Sequence, residues 1–99
     1  MEEIMEIYRY DNKWFTSINA EFDKTGNLKI RGHDIDDGME SWVGSDEFEY
    51  FLTVPKDAVE AFTLEVLKKS FNENKPLGFY DLRDICKDNN IEHYHDWWA

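Results

Sequence analysis

Two stretches of strict two-residue alternation constrain this chain more than any other feature. Over residues 14–22, Trp14, Thr16, Ile18, Ala20 and Phe22 fall on one side of an extended chain, and Ser17, Asn19 and Glu21 on the other. Over residues 47–54, Phe48, Tyr50, Leu52 and Val54 share one side, and Glu49, Phe51 and Thr53 the other. A period of two is the signature of a half-buried strand, because successive side chains of a strand point to opposite faces.

The neighbouring segments fit around these two strands. Residues 3–10 are strand-like, with Tyr8 and Tyr10, and Asp11-Asn12 reads as a turn. Asp23-Lys24-Thr25-Gly26-Asn27 predicts a hairpin loop, with Gly26 free to take positive φ. Residues 28–31 form a third strand with Leu28 and Ile30 inward. Residues 32–45 hold three glycines and many carboxylates. They read as a long connection with a helical turn around Met39.

Pro55 opens a helix, where its missing donor costs nothing. Asp57 and Glu60 near its start and Lys68 and Lys69 near its end suit the helix dipole. Val59, Phe62, Val66 and Leu67 recur at helical spacing and predict its buried stripe. Residues 72–78 form a loop, and residues 80–87 a short second helix with Leu82, Ile85 and Cys86 on one side. Asn89-Asn90 stops it. Residues 91–98 form a final aromatic strand, in which one of Trp97 and Trp98 faces the core and the other faces out. The order predicts one α+β domain over residues 1–99, an antiparallel meander of about four to five strands with two helices on one face.

Charge bounds the function. The 99 residues carry 22 Asp and Glu against 11 Lys and Arg, a net charge of −11. Solubility needs a magnitude of only about 2–8, and a larger excess repels itself in the compact state. The surplus points to a basic partner. It argues against nucleic acid and anionic membrane as ligands, since both are polyanions. Disordered acidic chains are poor in rings, so the 16% aromatic content decides for a folded domain. The single cysteine, Cys86, excludes an internal disulfide and points to a reducing, cytoplasmic setting. Met1-Glu2-Glu3-Ile4 has no basic or apolar segment of a secretory signal, and no apolar run has the length of a membrane helix.

The densest local signal is acidic. No Lys or Arg occurs between Arg31 and Lys56. Asp34, Asp36, Asp37, Glu40, Asp46, Glu47 and Glu49 lie in that interval, with Trp42 as an aromatic anchor. The stretch reads as a recognition surface for a basic protein, or as a solvated loop. Asp34-x-Asp36-Asp37-Gly38 resembles half of a calcium loop, but Gly38 falls at position 5 and Ser45 at position 12, where the loop needs Gly at 6 and Glu at 12. No metal is expected there. His93 and His95, two apart on the last strand, could meet one metal and support a small metal-binding or hydrolytic enzyme. An incidental pair is the plainer reading. Cys86 reads as a small buried hydrophobe rather than a nucleophile. No catalytic motif and no cofactor motif stands out, so a non-enzymatic role is expected.

Three stretches carry a resemblance: Gly32-His33-Asp34, Glu47-Phe48-Glu49-Tyr50 through Thr53-Val54-Pro55, and Ile91-Glu92 through Trp97. They resemble the outline of a group of small, mostly uncharacterised bacterial proteins with a β-rich first half, a helix after Thr-Val-Pro and an aromatic end. In format the chain is similar to the immunity proteins of bacterial toxin systems. That likeness implies an inhibitor of a basic, nuclease-like toxin, with no catalytic residue to carry over. An accessory domain whose acidity serves only solubility is the other non-enzymatic reading.

Overall fold

The computed structural model describes residues 4–12, 14–35 and 47–98. Five strands pair in chain order into one antiparallel sheet: β1 Met5–Asp11, β2 Phe15–Phe22, β3 Leu28–Ile35, β4 Glu47–Val54 and β5 Tyr94–Trp98. A 3-10 turn, Lys56–Ala58, leads from Pro55 into α1, Val59–Asn72. The second helix, α2, is Phe79–Asp88. The α+β meander expected from the alternation is the fold observed. No helix among the described residues is long and apolar enough to cross a membrane.

Register sorts the side chains into two faces. Tyr8, Ile18, Gly32, Tyr50 and Trp97 form one cross-strand row; Met5, Ala20, Ile30, Leu52 and His95 form the next. Both rows lie on the face that the helices cover. Ile18, Ile30, Tyr50, Leu52 and Val54 from the sheet pack with Phe62, Phe79, Ile85, Cys86 and Ile91 in the core. Burying such side chains contributes roughly 1.5–3 kcal/mol each.

Local chemistry places the turns. The Asp23 carboxylate accepts from the Thr25 and Asn27 backbone N–H groups, both at 2.9 Å, and Gly26 takes φ 90°. Asn27 Oδ1 in turn accepts from the Lys56 backbone N–H at 3.0 Å, pinning this hairpin to the entry of α1. Burial pushes the Asp23 carboxyl up, but the hydrogen bonds from Asn27 and Thr25 outweigh it and bring it down to about 2. At the start of α2, Asp81 Oδ2 accepts from the Gly78 N–H at 2.7 Å. At its end Asn90 takes φ 55°, and the Ile91 N–H reaches back to the Cys86 carbonyl at 2.9 Å. This is the Schellman geometry that an Asn tolerates.

Four expectations need correction. β3 does not stop at Arg31: Gly32, His33, Asp34 and Ile35 continue it, paired with β4. Gly32 belongs in the strand because the Tyr50 ring lies over it; a Cβ there would stand 1.7 Å from Tyr50 Cε2. Leu67 is half-exposed rather than part of the buried stripe. It lies roughly 100° around the helix from Val66, past the arc that Val59, Phe62 and Val66 share. Neither terminal tryptophan is in the core. Trp97 packs beside Phe48 at 5.4 Å and Trp98 beside Phe51 at 4.7 Å, on opposite faces of an edge strand. Finally, Trp14 and Phe22, at the two ends of the alternating run, remain exposed. Trp14 stacks on Tyr10 at 4.7 Å.

Candidate functional site

The proposed acidic residues divide. Asp36, Asp37, Glu40, Trp42 and Asp46, with Met39, lie outside the described residues. The three that are described do not share one surface. Asp34 sits on the covered face, where its Oδ1 accepts from the Tyr50 hydroxyl at 2.8 Å. Burial, and then this bond to an anion, push the Tyr50 phenol above its ordinary range. Asp34 thereby orients a core ring.

Glu47 and Glu49 lie on the opposite face, because β4 alternates. Glu49 is held on two sides. Arg31 donates to Oε1, and the Trp98 indole N–H donates to Oε2 at 2.9 Å. The Arg31 hydrogen bond is the main reason that the Glu49 carboxyl falls below its usual range; burial opposes it. Glu47 Oε1 stands 4.0 Å from His33 Nε2. Both partners come from β3, directly across the ladder, where His33 pairs with Glu49 and Arg31 with Phe51.

This face, which no helix among the described residues covers, is the best-defined candidate surface. The Arg31 guanidinium lies 5.9 Å from the Phe51 ring centre, and Trp98 tilts against the same ring. Further along, Arg9 lies 5.1 Å over Phe15, which meets His33 edge-on at 6.3 Å. Arg9 pairs with Glu6 at 3.0 Å. Beside Arg31 and Phe51 is an open depression of about 330 Å³, also lined by Ile4, Asn19, Glu21 and Lys29 among others. The face offers flat rings and paired charges at once, which suits contact with another protein. Sequence reasoning missed Arg31, Phe51 and Phe15 as members. The signal was the parity of Glu49 and Phe51; the cross-strand register was needed to add Arg31.

The two histidines have different surroundings. His93 precedes β5, and its Nδ1 lies 2.9 Å from the Ile91 carbonyl. His95 is on β5, over the covered face, between Phe79 and Tyr80. Among the described residues, no group of three or more His, Cys, Asp or Glu is placed to hold a metal ion. Among the described residues, His95 Nε2 and Arg83 Nε are buried without a hydrogen-bond partner. Burial, then the nearby Arg83 charge, lowers the His95 pKa, so the imidazole is neutral at pH 7. Cys86 is fully buried, and burial pushes its thiol up to about 11, far from a nucleophile's range.

No family model, no curated protein and no solved structure matches this chain.

Proposed function

We propose that this chain is a small acidic binding protein that neutralises a basic protein partner, acting by contact and not by turning over a substrate. Its most specific form is an immunity-type inhibitor of a nuclease-like toxin domain in the cytoplasm. The observation that carries the reading is the surplus of 11 negative charges, far beyond what solubility requires. The uncovered sheet face supports it. Phe51 and Trp98 supply aromatic anchors there, and Glu47 and Glu49 border the acidic interval that continues through Asp36, Asp37, Glu40, Trp42 and Asp46. A partner presenting Arg or Lys could stack on Trp98 as Arg31 stacks on Phe51. Complementary charge accelerates encounter and rejects acidic competitors, nucleic acid and anionic lipid among them.

Binding kinetics against the basic protein recovered by pull-down from the native host test this. Reversing Asp36, Asp37 and Glu40 slows association and removes most of its salt dependence, while dissociation changes little. Replacing Trp98 or Trp42 with Ala accelerates dissociation, at a cost of about 2 kcal/mol if either is an anchor. Recovery of no basic protein, or unchanged rates in the triple charge reversal, overturns the reading.

A further inference from the structure

The outer edge of β1 has a use that the binding face does not absorb. β1 pairs with β2 on one side, and among the described residues no strand pairs with the other. Such an edge presents unpaired N–H and C=O groups to any extended chain. Edges are commonly guarded by Lys, Pro or a bulge, and Met5–Asp11 has a bulge at Ile7 but neither Lys nor Pro. Instead Met5, Ile7 and Tyr8 are 65%, 49% and 47% exposed.

The charges of this edge are self-complementary. β1 carries one extra residue between Glu6 and Tyr8 relative to β2. Without it, Glu6 and Arg9, three apart, would point to opposite faces. With it, they stand opposite Asn19 and Ser17 on the same uncovered face, and their side chains meet at 3.0 Å. Place a second β1 antiparallel to the first, with the two-fold axis between Ile7 and Tyr8. Each Glu6 then faces Arg9 of the other copy, on the same side of the sheet. Ile7 faces Tyr8, and Met5 faces Tyr10 on the covered side. From Met5 to Tyr10 the opposed pairs are unlike in charge, Glu6 with Arg9, or join apolar and aromatic side chains, as an isologous interface requires.

We propose that two copies of this chain join edge to edge through β1, merging two five-stranded sheets into one. The occupant is a second copy rather than an unrelated strand because the Glu6-Ile7-Tyr8-Arg9 pattern complements itself when reversed. The net charge opposes association, but its long-range part is screened beyond about 8 Å at physiological salt. A two-fold axis normal to the sheet keeps both uncovered faces on one side.

Sedimentation velocity on the full chain tests the proposal, using the wild type, Glu6→Arg, Arg9→Glu, and an equimolar mixture of the two variants. Both substituted positions are exposed surface, and circular dichroism confirms that each variant is folded. The wild type forms dimers in the micromolar range. Each variant alone opposes like charges across the axis and dimerises about tenfold more weakly or worse. The mixture recovers a dimer, because every opposed pair is again unlike. A wild type that stays monomeric, variants that dimerise as the wild type does, or a mixture that recovers nothing overturns the proposal.

Discussion

The two faces of the sheet are made from alternate residues of the same strands, yet they are built on different chemistry. On the covered face, the central rows are apolar and close-packed: Ile30 against Leu52, and Gly32 yielding its Cβ space to Tyr50. On the uncovered face, the same strands set Arg31 against Glu49 and Phe51 against Trp98. A slip of one residue would exchange the faces, so the apolar rows enforce the register that assembles the charged ones. Stability and recognition are therefore separable by substitution.

The largest effect belongs to the covered face. Phe62, 4% exposed, lies at the centre of the α1 contact, and Phe62→Ala lowers unfolding free energy by about 3–5 kcal/mol in urea titration. A loss below about 1 kcal/mol would remove α1 from the core. Gly32→Ala comes next. The added methyl has no room beside a ring already packed on Phe79 and Tyr80, and overpacking of this kind costs about 1–3 kcal/mol. Near-UV circular dichroism reports the displaced Tyr50. On the uncovered face, Arg31→Met changes stability by at most about 1 kcal/mol, less in high salt, because the pair is solvent-exposed. A larger loss would show that this face carries the fold as well.

The smallest effects are on pH dependence, and they separate the faces along the pH axis. His95, on the covered face, has a folded pKa below its ordinary 6.5, so the unfolded chain binds its proton more readily. Stability falls as pH drops below 6.5, and His95→Gln flattens that limb. Glu49, on the other face, has a folded pKa below its ordinary 4.5. Its contribution is present above that value and is lost as pH falls through the folded pKa; Glu49→Gln removes this step. Urea midpoints measured from pH 8 to pH 3 resolve both.

Much of the fold was legible in the sequence, and the reasons are local. The alternation of β2 and β4, the Gly26 hairpin, the helix after Pro55 and the stop at Asn89-Asn90 each rest on residues close in the chain. What was not legible depends on partners far apart. Gly32 reads as a breaker until Tyr50 is known to lie over it. Trp97 and Trp98 read as one in and one out until β5 is known to be an edge. The acidic interval was plain, but the pairing of Glu49 was not, since Arg31 meets Glu49 only through the β3–β4 register. Asp34 belonged to that interval by sequence and to the core network by structure.

The order of strands also sets an order of assembly. β1 to β4 are neighbours in both chain and sheet, whereas Glu49 meets Trp98 only after both helices have been wound between them. Closing that span has a larger entropic cost than closing the earlier hairpins, which predicts that β5 docks after the meander and the helices are in place. Opening reverses the sequence. The amides of β5 therefore exchange with solvent through a partial opening, while those of Ile30 and Leu52 wait for global unfolding. Trp98 rides on this latch, and its fluorescence follows the closing of the sheet rather than the collapse of the core.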